Sequence, residues 1–115
     1  MVQNIGIKIE DNKNAKVVSI EGLLDASMAN AVSERLHDIL EGECKKLVFD
    51  LSSLEYISSA GLRVLLYSAK KMQSKNGQTS LCDIPKSVQR VLEISGLNTI
   101  FSIHKNIDTA ISSMK

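Results

Sequence analysis

Two adjacent hydroxyls, Ser58 and Ser59, stand where the chain is predicted to pass from a strand loop into a helix. A serine at such a point ordinarily caps the helix by accepting hydrogen bonds from its first free amides, so Ser58 is expected as the cap. Gly61 in the first turn costs up to about 1 kcal/mol relative to alanine, which indicates that backbone or a partner approaches closely. Because a helix N-terminus is electropositive, it also tolerates a phosphate on either serine. The segment therefore predicts simple capping or a site that accepts phosphate.

The usual catalytic motifs are missing from the sequence: it has no GxGxxG, no GxxxxGK[ST] and no GxSxG. His37 is expected on the exposed side of a helix and His104 at the end of a strand, and spacing alone leaves a Ser/His/Asp triad open. Cys44 is expected to be an exposed, inert thiol and Cys82 a core residue, and the two do not form a CxxC pair. The sequence favours a protein that is not an enzyme and that holds neither cofactor nor metal.

Length and composition indicate one globular domain spanning residues 1–115. We expect a cytoplasmic protein without a membrane partner, since no apolar run approaches the roughly 20 residues that span a bilayer and no leader is evident. The net charge is only +1 and aromatic residues make up 3% of the chain, which argues against a nucleic-acid partner. The charge is uneven, however, with −4 over residues 1–62 and +5 over residues 63–115.

Hydrophobic spacing predicts the element order β-β-α-β-α-β-α-β-α. Ile5, Ile7 and Ile9 alternate with polar residues before a turn-forming segment, so the chain should open with a β-hairpin. The second strand is expected at residues 15–21 and the later strands at 46–51, 79–82 and 100–104, with residues 52–57 as a connector.

Four helices are predicted between and after these strands. The first follows a cap at Asp25 or Ser27, and the second runs from about residue 59 to 75. The third begins near Pro85 and ends at Gly96, and the fourth follows a cap at Asn106. Strands that alternate with helices imply an α/β domain with a single mixed, mainly parallel sheet.

At these residues the sequence resembles STAS domains, specifically the anti-sigma factor antagonists of bacterial partner-switching systems. Residues 48–51 (Val-Phe-Asp-Leu) with residues 57–62 (Ile-Ser-Ser-Ala-Gly-Leu) resemble the family's phosphorylation segment and align Ser59 with the phosphorylated serine. Residues 22–29 and 94–97 resemble two further motifs, so that the likeness spans nearly the whole chain. Two positions depart from the pattern: Ser58 replaces the usual aspartate, and Leu23 replaces the usual glutamate.

The resemblance implies a phosphorylation-controlled switch that regulates transcription. The unphosphorylated protein would bind an anti-sigma factor that is itself a serine kinase, and phosphorylation of Ser59, with Ser58 as second candidate, would release it. A metal-dependent serine phosphatase would reset the switch, so ATP and metal belong to the partners. The partner-binding residues that the resemblance implies are Asp25, Ser27, Ser58, Ser59, Gly61 and Arg63.

Two other functions are compatible with the sequence. STAS domains also serve as structural or lipid-transport accessory subunits in which no serine is phosphorylated. An enzyme on a flavodoxin-like α/β scaffold is the second alternative, and it rests on analogy of fold alone.

Overall fold

Residues 6–114, the part of the chain that the computed structural model describes, form seven strands and four α-helices. The strands are β1 (Ile7–Asn12), β2 (Ala15–Ile20), β3 (Gly22–Leu24), β4 (Lys46–Asp50), β5 (Leu54–Ile57), β6 (Gln78–Cys82) and β7 (Ser102–His104). The helices are α1 (Ala26–Glu41), α2 (Ser59–Ser74), α3 (Lys86–Ser95) and α4 (Ile107–Ser112). Ile5, which was predicted to belong to the first strand, lies outside the described residues.

The larger sheet has the strand order β1-β2-β4-β6-β7. β1 and β2 are antiparallel, and every other pair of neighbours is parallel. The hairpin loop consists of Lys13 and Asn14, whose φ angles are 51° and 70°. Two such residues make a type I′ turn, whose twist matches that of the strands it joins. The mixed, mainly parallel sheet and the opening hairpin are therefore confirmed.

Successive residues of the strands face two separate cores. On one face, Val18 and Phe49 pack with side chains of α1, α2 and α3, and on the other, Val17 and Val48 pack with α4. Because side chains of a strand point alternately to opposite faces, a central strand covered on both sides needs a continuous apolar run. Leu47, Val48 and Phe49 supply that run and are fully buried.

A second, two-stranded sheet corrects the predicted topology. Residues 52–57 were expected to be a connector, but Leu54–Ile57 forms β5, which pairs in parallel with the three-residue strand β3. The single-sheet prediction was therefore wrong in this detail, although the α/β class is confirmed. Leu24 pairs with Ile57, and these two residues end their strands immediately before the caps of α1 and α2. The small sheet thus brings two helix N-termini to the same edge.

The helices end where the sequence predicts, and one helix, α3, begins one residue later than predicted. Asn76, with φ at 65°, stops α2 as predicted, and Gly96, with φ at 79°, stops α3. Pro85 caps α3 with an extended backbone, so that the helix begins one residue later, at Lys86. None of the helices within residues 6–114 combines the length and the apolar character that crossing a membrane requires.

Candidate functional site

The predicted site lies where β3 and β5 pass into α1 and α2. Asp25 caps α1 and Ser58 caps α2, each with an extended backbone. The carbonyl oxygen of Leu24 joins the two segments, because it accepts hydrogen bonds from both the backbone N–H and the side-chain Oγ of Ser58, each at 3.0 Å. The cap of α2 is therefore hydrogen-bonded to the residue that directly precedes the cap of α1.

The two serines differ sharply in their surroundings. Ser58 is half-buried, and its Oγ donates to Leu24 and accepts from the backbone N–H of Gly61 at 3.2 Å. Ser59 is exposed at the first helical position, and its Oγ makes no hydrogen bond to any residue within 6–114. The hydroxyl of Ser58 thus donates one structural hydrogen bond and accepts another, whereas that of Ser59 does neither within residues 6–114.

Gly61 is needed by the fold itself. It is buried, and a Cβ on it would lie 2.7 Å from Leu24 Cγ, 2.8 Å from Leu24 O and 2.9 Å from Ile57 Cγ1. Such distances are far shorter than van der Waals contact. The predicted close approach is therefore found, but it is made by β3 and β5. A role of Gly61 in binding a partner stays a prediction.

Asp25 is a fixed carboxylate at the start of α1. Its Oδ1 accepts hydrogen bonds from the backbone N–H of Met28 and from Ser27 Oγ, both at 3.1 Å. These bonds, the one from Met28 first, hold the pKa of Asp25 below its usual value. Ser27 is exposed, so the outer edge of this cap presents a hydroxyl beside a carboxylate.

The start of α2 favours an anion. Its first turn contains no acidic side chain. Arg63 is exposed one turn beyond Ser59, and within residues 6–114 it forms no ion pair. Residues four apart on a helix lie on the same face, so a negative group on Ser59 would meet both the helix N-terminus and the Arg63 guanidinium.

Leu23 and Tyr56 are surface residues of the site that sequence patterns did not single out together. They pair across the small sheet, and 52% and 51% of their surfaces are exposed. The register shifts between Gly22 and Leu23, so that Glu55 is left as an extra residue on β5. Such a bulge redirects the side chains that follow it. In the sequence, a charged residue and a tyrosine, Glu55 and Tyr56, stand together between the aliphatic Leu54 and Ile57, and this break in strict alternation is the signal that could have located the bulge.

A different group of titratable residues lies at the carboxyl ends of β4 and β6. Within residues 6–114, the ligand atoms of Asp50, Cys82 and Asp83 lie within 4.8 Å of one another. Cys82 is buried as predicted, and burial, followed by the two carboxylates, raises its pKa to about 12. The thiol is therefore protonated at neutral pH, which makes it a poor metal ligand or nucleophile.

The two histidines and the second cysteine have no part in the site at the starts of α1 and α2. His37 is exposed, as predicted. Cys44 was predicted to be exposed, but it is half-buried against the core and its thiol donates to Lys46 O at 3.2 Å. His104 Nε2 contacts Ser102 Oγ at 3.0 Å and Ser113 Oγ at 3.1 Å, which ties β7 to the end of α4.

The five-stranded mixed sheet, the small second sheet and the exposed serine at the start of α2 together describe the fold and its candidate site. The family model for the STAS domain matches residues 6–110, and the chain belongs to that family. The predicted family membership is confirmed.

Curated relatives of this chain are anti-sigma factor antagonists. A Bordetella bronchiseptica protein named as a candidate anti-sigma factor antagonist, BtrV, is 36% identical over 104 residues, which cover 84% of this chain and 90% of that protein. The anti-sigma F factor antagonist of Paenibacillus polymyxa is 28% identical over 113 residues, which cover 97% of both chains. A solved structure from Thermotoga maritima, described as a candidate anti-sigma factor antagonist, has a TM-score of 0.88 and covers 93% of this chain and 92% of its own. It is 23% identical, so this likeness concerns the fold.

Proposed function

We propose that this protein is an anti-sigma factor antagonist, a regulatory binding protein that is switched by phosphorylation of Ser59. In its unphosphorylated form it binds an anti-sigma factor that is also a serine kinase, and the sigma factor is freed. Phosphorylation dissociates the complex, and a metal-dependent serine phosphatase restores the binding form. The proposal treats residues 1–115 as one domain that works in the cytoplasm, where sigma factors act.

The observation that best supports this function is the contrast between the two serine hydroxyls. A phosphoacceptor must reach the active site of another protein, and its oxygen must be free to attack. Ser59 Oγ meets both conditions, because it is exposed and has no hydrogen bond within residues 6–114. Ser58 Oγ would have to give up its bonds to Leu24 and Gly61 first.

The chemical step needs only this hydroxyl from the antagonist. Ser59 Oγ attacks the γ-phosphorus of ATP held by the kinase, the bond to ADP breaks, and the hydroxyl proton passes to a base of the kinase. In the dephosphorylation step, a water molecule activated by the metal of the phosphatase attacks the phosphorus atom, and Ser59 Oγ leaves and is protonated. ATP and metal are therefore bound by the partners.

Release follows from the charge that phosphorylation adds. A phosphate brings about −1.5 to −2 charges to a surface that had docked as a neutral hydroxyl. The free protein accommodates this charge at the start of α2, so dissociation requires little refolding. A penalty of about 3 kcal/mol in the complex corresponds to roughly a hundredfold weaker binding.

The docking surface that we propose surrounds Ser59, and buried or half-buried residues beneath it fix its shape. Asp25, Ser27 and Arg63 contribute polar groups at its exposed edge. Ser58 and Gly61 support it, because the first fixes the start of α2 and the second lets α2 pack directly on Leu24.

Phosphate mapping tests the proposal. The protein is incubated with ATP and the serine-kinase anti-sigma factor of the same organism, and fragment mass spectrometry locates the modification. We expect phosphate on Ser59 in the wild type and in Ser58→Ala, and none in Ser59→Ala, which still binds the kinase. Phosphate on Ser58 alone refutes the assignment of Ser59. Binding without phosphate on either serine supports an accessory subunit instead.

A further inference from the structure

A groove between α1 and α2 begins beside Ser59 and is lined by short side chains, an aromatic ring and two cations. Its volume is about 560 Å³, and both helices line it with short side chains, among them Ala29, Ala60 and Val64. Helices whose facing residues are small let a third element come close to their backbones. The groove therefore has room for a partner segment along α2.

The rim of the groove is cationic and aromatic. Arg63 and Lys70 lie on it, seven residues and therefore two helical turns apart, about 10 Å along α2. Tyr67 stands between them with 56% of its surface exposed. No aspartate or glutamate lines the groove, and within residues 6–114 neither cation forms an ion pair. Two unpaired positive charges on either side of an exposed ring favour an occupant that carries negative charge and an apolar side chain.

We infer that this groove docks an acidic amphipathic helix of the partner kinase, an inference that rests on the proposed function. A helix laid along a groove presents side chains at positions i, i+3, i+4 and i+7. Carboxylates seven residues apart would meet Arg63 and Lys70, and an apolar side chain between them would pack on Tyr67. Because the groove starts at Ala60, the docked helix would align the kinase with the hydroxyl of Ser59.

Charge neutralisation with a matched control tests the charge complementarity. The affinity for the kinase is measured at 50 and 300 mM NaCl for the wild type, for Arg63→Gln with Lys70→Gln, and for Arg90→Gln with Lys105→Gln. The control pair removes the same charge from exposed positions outside the groove. We expect the groove pair to weaken binding about tenfold at low salt and much less at high salt, since exposed charges are screened. The control pair should change affinity less than about twofold.

Zero-length crosslinking tests the chemistry of the occupant. A carbodiimide joins a lysine amine directly to a carboxylate, so treatment of the complex should link Lys70 to an aspartate or glutamate in a helix of the kinase. Equal affinities for the groove pair and the wild type overturn the inference, as does a complex in which Lys70 forms no link. A link between Lys70 and a second copy of this chain also overturns it, since the groove is then a self-association surface. If the wild type does not bind the kinase, it is the proposed function that fails.

Discussion

The two ends of the α1–α2 pair are held together by different chemistry. At the N-terminal ends, short side chains cap each helix locally, Asp25 on α1 and Ser58 on α2. At the C-terminal ends, lysines cross between the helices: Lys75 Nζ donates to the carbonyls of Ile39 at 2.8 Å and Gly42 at 2.7 Å. One end uses compact neutral or anionic groups, and the other uses long cations.

This difference follows from the helix dipole. The last turn of α1 contains no basic residue of its own, so Lys75, which caps the C-terminus of α2, supplies the cation that the free carbonyls of α1 favour. Lys71 pairs with Glu41 at 2.9 Å and Lys45 Nζ donates to Lys75 O, which completes the connection. The bonds at the C-terminal ends add to those between Ser58 and Leu24 at the N-terminal ends, and neither set uses the hydroxyl of Ser59.

The largest effect is expected at the packed contact beneath the N-terminal ends. Gly61→Val places a branched side chain where even a Cβ would lie within 3 Å of Leu24 and Ile57. We expect the free energy of unfolding to fall by about 3 kcal/mol or more, since overpacking forces backbone to move. Urea denaturation measures this, and Gly61→Ala should show a smaller loss. Wild-type stability in both variants would mean that α2 can shift away from the small sheet at no cost.

A smaller loss is expected at the C-terminal ends. Lys75→Met keeps much of the side-chain length but removes two hydrogen bonds to carbonyls at the end of α1. We expect a destabilisation of about 1–2 kcal/mol, because hydrogen bonds to a charged group contribute about 1.5–3 kcal/mol and Lys75 is partly exposed to water. Phosphorylation of Ser59 by the kinase should persist. If Lys75→Met instead abolishes phosphorylation while the protein stays folded, the two ends are not independent.

The two serines should separate stability from reactivity. Ser58→Ala removes the cap of α2 and a donor to Leu24 O, so we expect a loss of about 1 kcal/mol. Ser59→Ala should change the free energy of unfolding by less than about 0.5 kcal/mol, as for an exposed residue without contacts. Thermal melts of both variants check this. A greater loss in Ser59→Ala than in Ser58→Ala would reverse the assignment of the cap.

The smallest effect is a pH dependence at the start of α1. Hydrogen bonds from Met28 and Ser27 lower the pKa of Asp25 in the folded protein. Its carboxylate therefore stabilises the fold above the unfolded pKa, near 3.9, and this contribution is lost as the pH falls through the lower folded value. The difference in Tm between wild type and Asp25→Asn should favour the wild type more at pH 7 than at pH 2.5. An unchanged difference would show that the charge of Asp25 is irrelevant to the cap.

Sequence patterns predicted the parts of the molecule that depend on long periodic segments. The apolar stripe of α1 and the continuous run in β4 each follow one period over several residues, so their faces could be assigned. β3 and β5 were missed because three or four residues, one of them bulged, do not establish a period. Ser68 was overlooked in the core of α2 because its hydroxyl bonds back to Val64 O, at 2.8 Å, which no hydrophobicity pattern reveals.

The sequence predicted the cap of α2 correctly, but it could not show which distant contact fixes that cap. The resemblance aligned Ser59 with the phosphorylated serine, and turn chemistry suggested Ser58 as the cap. Neither could show that Leu24, thirty-four residues earlier, accepts the two hydrogen bonds that Ser58 donates from its backbone N–H and its Oγ. The groove on α1 and α2 was equally hidden, because it depends on how two helices pack, and this is a property of tertiary structure.

The hydrogen bonds between Ser58 and Leu24 make the position of Ser59 depend on the pairing of β3 with β5. Contacts between residues far apart in sequence form only after a long loop has closed, and they are therefore among the later ones to be gained. A chain in which β3 has not paired with β5 would lack the acceptor on Leu24 for Ser58, so the start of α2 would be held only by the local bond from Gly61 N–H to Ser58 Oγ. A kinase that recognises the ordered start of α2 would thus modify mature molecules and pass over nascent or damaged ones. Only the folded molecules of this protein would then be phosphorylated and released.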